Sequence, residues 1–247
     1  MKKILQILSS VYFWFELFFL SFLLFPFAAL IFLSTVLFDP GMRIQHMYAC
    51  FWSWLVLKAN FMWKAKVEGR ELIDRKETYV MVCNHQSGAD IIVTYLLWVH
   101  FKWVAKRSLY YIPFIGWNML LNRYITVDRN SKSSMKRMMS KASEYLNSGN
   151  SVMIFPEGTR SKDGKLQAFK TGAFHLALEN RKPILPIVIS GTSRAIRKGG
   201  FLINRNSDIL VKVLPPLPFQ QFCGKDPKEV TAMVREIMAA ESDRPVK

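Results

Sequence analysis

Residues Leu17 to Phe38 make up 22 consecutive positions without a charged side chain, interrupted only by Ser21, Pro26, Ser34 and Thr35. As one helix the run would reach about 33 Å, the hydrocarbon thickness of a bilayer. It is too long for the apolar part of a secretory signal peptide, and no small-x-small cleavage pattern precedes Asp39-Pro40-Gly41. Pro26 removes a helix hydrogen bond and is expected to kink or divide the helix. A second stretch, Ile44 to Trp63, carries Trp52, Trp54 and Phe61, with Lys58, Lys64 and Lys66 near its end. Aromatics flanked by lysines suit the headgroup region. Two arrangements fit residues 1–65 as a membrane anchor: a transmembrane span, or a hairpin dipped into one leaflet and turning at Asp39-Pro40-Gly41. Glu16 and Pro26 weaken a clean span and favour the hairpin.

The chain is 51% hydrophobic, yet 34 Lys and Arg face 18 Asp and Glu, a net charge of +16. Such an excess points to nucleic acid or an anionic membrane surface as partner. The basic residues are interleaved with aromatics along the whole chain, without zinc-finger spacing, an RNP-type word or a basic region running into heptads, which argues against nucleic acid. Cys50, Cys83 and Cys223 are far apart and read as reduced thiols of a reducing compartment. With four histidines and no clustered ligand set, neither a metal site nor a bound cofactor is expected. The positive charge predicts that the domain beyond the anchor faces the cytoplasmic side of the cell (inner) membrane.

Beyond about Val67, short apolar runs alternate with helical patterns. Strands are expected at Tyr79–Cys83, Phe101–Ala105, Tyr124–Val127, Ser151–Phe155, Ile184–Ile189 and Ile209–Val213. Helices are expected at Asp90–Trp98, Ser133–Leu146, Lys170–Asn180 and Lys228–Ala240, and the stripe Met135, Met138, Met139, Ala142, Leu146 reads as core packing. Alternating strands and helices predict an α/β fold for residues 66–247: a layered domain with a largely parallel or mixed sheet flanked by helices. Ligands of such sheets sit beyond the carboxyl ends of the strands.

Two short words follow two of these strands. Asn84-His85-Gln86-Ser87-Gly88-Ala89-Asp90 sets a histidine five residues before an aspartate. On one continuous helix the two side chains would diverge by about 140°. They can meet only if His85 lies in a strand-to-helix turn and Asp90 in the first helical turn. An aspartate bonded to the imidazole fixes its tautomer and leaves the other ring nitrogen as a general base. The second word, Phe155-Pro156-Glu157-Gly158-Thr159-Arg160-Ser161, combines a turn glycine with Thr and Arg donors suited to an anion.

Both words, in this order, resemble the glycerolipid acyltransferases that share a His-x4-Asp motif. Val127-Asp128-Arg129 after Asn122-Arg123-Tyr124-Ile125 is similar to that family's second block, Phe169-Lys170-Thr171-Gly172 follows the third block as in the family, and Ile184-Leu185-Pro186-Ile187 is similar to the fourth. The resemblance covers roughly residues 65 to 215 and is closest to bacterial enzymes acting on 1-acyl-glycerol 3-phosphate. It implies His85 as base and Asp90 as its orienting partner. It also implies Arg129 and Arg160 as a phosphate clamp with Lys106 as a further contact, and Glu157, Gly158 and Thr159 as shapers of the acceptor site. Backbone amides near Gly158 are expected to hold the oxyanion. The implied reaction moves an acyl chain from acyl-coenzyme A or acyl carrier protein to lysophosphatidic acid. Other acceptors (glycerol 3-phosphate, a lysophospholipid, a lyso-amino-acid lipid) and a non-catalytic protein binding anionic membranes remain open at this point.

Overall fold

The computed structural model describes residues 2–242. Helix α1 (Lys2–Thr35) and helix α2 (Arg43–Ala59) form an antiparallel pair. Tyr48 donates to the Leu24 carbonyl at 2.8 Å, the Trp52 indole to Ser21 at 3.2 Å, and Tyr12 to the Ala59 carbonyl at 3.0 Å. As one residue number rises the other falls in step, which defines a hairpin. Its turn is the expected Asp39-Pro40-Gly41, where the Asp39 carboxylate accepts the Ile44 amide at 2.8 Å and so satisfies a donor at the start of α2.

Helix α1 extends back to Lys2, beyond the uncharged run, because Glu16 interrupts the charge pattern without breaking a helix. It also continues through Pro26, which lies on the exposed side, so the proline does not divide it. Among the described residues α1 is the one helix long and apolar enough to cross a membrane. The second aromatic stretch divides: α2 ends at Ala59 and Trp63 opens strand β1 (Trp63–Glu68). One face of α2 is buried (His46, Ala49, Cys50, Ser53), and Ser53 donates to the Ile92 carbonyl at 2.5 Å.

The rest of the chain folds as strands β2 (Val80–Cys83), β3 (Lys102–Lys106), β4 (Ile125–Val127), β5 (Val152–Ile154), β6 (Ile184–Ser190) and β7 (Ser207–Val213), interleaved with helices α3 (Ala89–Thr94), α4 (Ile115–Leu121), α5 (Lys132–Asn147), α6 (Gly172–Glu179), α7 (Thr192–Ala195) and α8 (Pro227–Ser242). The seven-stranded sheet has the order β1-β7-β6-β2-β5-β3-β4. From β6 to β4 neighbouring strands are parallel; β7 runs antiparallel to β6, and β1 is parallel to β7.

Alternation along the central strands feeds two cores. Met81, Cys83, Leu185 and Ile187 point to the face covered by α2 and α3. Val80, Val82, Ile184 and Val188 point to the face covered by α5, α6 and α8. Of the methionine stripe on α5, Met138 and Met139 pack on the second core, whereas Met135 is exposed, one turn too near the N-terminal end of the helix to reach it.

Candidate active site

The five parallel strands deliver their C-terminal ends to one edge of the domain. Across the sheet these ends lead to Thr192 after β6, His85 after β2, Glu157 to Arg160 after β5, Lys106 at the end of β3 and Arg129 after β4. The two words follow adjacent strands, and their backbones are bonded to each other. The His85 amide donates to Glu157 Oε1 at 3.0 Å, and the His85 carbonyl accepts the Ser161 amide at 2.7 Å. Asn84 fixes the other side, accepting the Ile189 amide at 2.7 Å and donating to its carbonyl at 2.9 Å.

His85 and Asp90 meet as the turn geometry requires. His85 Nδ1 stands 2.7 Å from Asp90 Oδ2, and the same oxygen accepts the amides of Gln86 at 2.7 Å and Ser87 at 2.8 Å. The other carboxylate oxygen accepts the Thr192 hydroxyl. Asp90 is fully buried, and this set of donors compensates the cost of removing its charge from water. Nδ1 carries its proton towards Asp90, which leaves Nε2 unprotonated and without a protein partner among the described residues. Phe155 stacks on the imidazole with ring centroids 4.0 Å apart, and Trp103 stacks in turn on Phe155 at 5.2 Å, which restrains the orientation of the ring.

Glu157 is buried and reaches the site through the His85 backbone. Burial raises its carboxyl pKa to about 7, although the amides of His85 and Gln167 favour the charged form. Gly158 has φ of +68°, a conformation that favours glycine at this turn. The Gly158 amide is committed to the Phe155 carbonyl at 3.0 Å. Of the amides near Gly158, those of Thr159 and Arg160 carry no such commitment among the described residues.

His85 opens on a cavity of about 360 Å³. Its polar end holds Lys106, Arg129, Thr159, Arg160 and Lys198. None of these four cations has a carboxylate within 4.0 Å among the described residues. Burial and the neighbouring Arg160 charge lower the pKa of Arg129, the signature of cations gathered without a counterion. Much of the remaining wall is apolar, including Leu24, Phe25 and Ala28 of α1, Trp52 of α2, Ile91 of α3 and Met119 of α4. The N-terminal hairpin thus forms part of the cavity. Sequence reasoning missed Trp103, Thr192 and Lys198, which only tertiary contact brings here; Asn84 stands in the first word, but its bonds to Ile189 give it a role that the word alone does not show.

Comparison with known proteins places the chain in a family. The family model described as Acyltransferase matches residues 64–190. The chain is 34% identical over 185 residues to the chloroplastic 1-acyl-sn-glycerol-3-phosphate acyltransferase LPAT1 of Arabidopsis thaliana, covering 74% of this chain and 51% of that protein. It is 34% identical over 193 residues to the 1-acyl-sn-glycerol-3-phosphate acyltransferase of Saccharomyces cerevisiae, covering 76% and 62%. The chain spans between half and two thirds of the length of such relatives. The crystal structure of the 1-acyl-sn-glycerophosphate (LPA) acyltransferase PlsC from Thermotoga maritima matches over 100% of both chains, with a TM-score of 0.81 and 25% identity.

Proposed function

Because the chain belongs to the acyltransferase family, we propose that it transfers an acyl chain from acyl-coenzyme A or acyl carrier protein to the sn-2 hydroxyl of lysophosphatidic acid, giving phosphatidic acid. The observation that carries this reading is the His85–Asp90 pair at 2.7 Å, with His85 lining a cavity that also gathers Lys106, Arg129, Arg160 and Lys198. His85 Nε2 takes the hydroxyl proton as the oxygen attacks the thioester carbonyl. The tetrahedral intermediate then expels the thiolate, which recovers the proton from the imidazolium. Asp90 stabilises the imidazolium and holds its orientation. Arg129 and Arg160, with Lys106, bind the acceptor phosphate, and the apolar wall receives the acyl chain. No acyl-enzyme is required, in keeping with Cys50 and Cys83 buried in the core.

The hairpin lies in one leaflet, with the catalytic domain against the anionic cytoplasmic surface. The support for this is that α1 contacts the domain along most of its length. Gln6 bonds Asn204 at 2.7 Å, Ser10 accepts the Ile203 amide at 2.8 Å, and Trp14 donates to the Phe201 carbonyl at 2.8 Å. Further along, Phe22 and Phe25 pack on Phe114. A span perpendicular to the bilayer would carry those loops into hydrocarbon, where their backbone groups have no partners. The outward face of α1, including Ile4, Leu8, Phe15, Phe19 and Leu30, is exposed and apolar.

The test is thioester consumption and phosphatidic acid formation by the purified protein in detergent, beside His85→Ala. Product from the wild type alone establishes the reaction and its base. Equal rates would remove His85 from the mechanism. Silence with both thioester donors would sink the reading in favour of another acceptor or a binding protein.

A further inference from the structure

The cation Lys198 stands at the acceptor end of the cavity but comes from none of the segments that bear the resemblance motifs. It lies in the loop joining α7 to β7. Its Nζ donates to the Arg160 carbonyl at 2.6 Å and to Thr159 Oγ1 at 3.2 Å. An ammonium carries three N–H donors, so these contacts leave one to face the cavity that Lys198 shares with Arg129, Arg160 and His85.

The loop is held from both sides. On the catalytic side, the Ser87 hydroxyl, within the His85–Asp90 turn, donates to the Ile196 carbonyl at 2.8 Å. On the other, Ile203, Asn204 and Phe201 are bonded to α1. The Ile196–Ile203 bridge closes the loop between these attachments. Lys198 is therefore held in register with the base, although its loop is rich in glycine.

We propose that Lys198 is a phosphate-binding residue that selects phosphomonoester acceptors over neutral or singly charged ones. This rests on the acyltransferase reading of the same cavity. A phosphate monoester has a second pKa near 6 and carries close to two charges at neutral pH. Arg129 and Arg160 supply planar donors, and Lys198 adds a compact point charge beside the Thr159–Arg160 turn. The same ammonium, bonded to the Arg160 carbonyl, couples anion binding to the shape of the Thr159–Arg160 turn.

The test compares binding, by calorimetry in detergent, of lysophosphatidic acid and of monoacylglycerol (the same lipid without phosphate) to the wild type, Lys198→Gln and Lys198→Arg. Glutamine keeps an N–H donor for the Arg160 carbonyl while removing the charge. The expected result is binding of lysophosphatidic acid weakened about tenfold or more in Lys198→Gln. Monoacylglycerol binding is expected to stay within twofold, and Lys198→Arg to recover most of the loss. In turnover, the same variant should raise KM for lysophosphatidic acid while KM for the thioester holds. Unchanged lysophosphatidic acid binding in Lys198→Gln, or equal weakening for both lipids, overturns the proposal and leaves Lys198 as a brace for the turn. Binding is read without turnover, so an inactive wild type that discriminates the phosphate through Lys198 would count against the acyltransferase reading alone.

Discussion

Thr192 places its hydroxyl 2.5 Å from Asp90 Oδ1, the carboxylate oxygen that His85 does not use. The contact joins the end of β6 to the turn after β2, so the orientation of the His85 imidazole depends on a strand that does not carry it. Removing this hydroxyl leaves one oxygen of a buried carboxylate with one fewer donor and frees the carboxylate to rotate. Thr192→Val, which keeps the volume, should lower kcat about tenfold, or about 1.4 kcal/mol. KM for both substrates should stay within twofold, since the cations are untouched. A steady-state analysis showing the loss in KM instead would place Thr192 in acceptor binding.

Glu157 gives the site a pH dependence with a definite sign. Its folded carboxyl titrates at about 7, above the ordinary value of 4.5. Between those values the folded chain holds a proton that the unfolded chain has released. The group's contribution is therefore fully present below about 4.5 and is lost as pH rises through about 7, a change on the order of 3 kcal/mol. Glu157→Gln still offers an amide oxygen to the His85 amide but does not ionise. Its urea midpoint should fall less than that of the wild type between pH 5 and pH 8. Parallel pH dependences in the two proteins would show that Glu157 ionises freely in the folded state.

Which parts of this site the sequence exposes follows from the range of the interactions involved. Val80–Cys83 and Val152–Ile154 are short apolar runs, each followed directly by its motif, so their placement at strand ends needed only local pattern. The direction of β7 has no such signature. Alternation at Ser207–Val213 marks a half-buried strand whichever way it runs, and its partner Trp63 lies far away in sequence. Strand β1 did carry a signal: Trp63-Lys64-Ala65-Lys66-Val67-Glu68 alternates apolar and charged, but it adjoins an aromatic stretch that suggests membrane. Thr192 and Lys198 reach the site through contacts of high sequence separation, and neither sits in a word that chemistry alone would single out.

Phe201 is 77% exposed at the tip of the loop that carries Lys198, beside Trp14 of α1. Arg197 and Arg205 flank it in sequence, the pattern of an apolar residue entering a leaflet among anionic headgroups. Phe201→Ser should weaken binding to vesicles containing phosphatidylglycerol about tenfold, following the apolar area lost. Turnover on substrates dissolved in detergent should be unaffected. Vesicle binding equal to wild type in a flotation assay would place the tip in water and confine membrane contact to the hairpin.

Ala28 lies on α1, almost fully buried, in the wall of the cavity that His85 also lines, beside Phe25. Its methyl group is the smallest contribution the anchor makes to that wall, so enlarging it should shorten the space available to an acyl chain without touching His85 or the cations. Ala28→Phe puts a ring into a cavity of about 360 Å³. The Tyr48–Leu24 and Trp52–Ser21 bonds that hold the hairpin stay in place, because they leave α1 from other positions. Activity with a sixteen-carbon thioester should fall by roughly tenfold or more (about 1.4 kcal/mol), while an eight-carbon thioester is used at close to the wild-type rate. Thermal unfolding measured on both proteins guards against simple overpacking, which would depress activity with both donors alike. An unchanged ratio of long- to short-chain activity would show that the acyl chain does not run along α1, and that the hairpin's part in the cavity is structural.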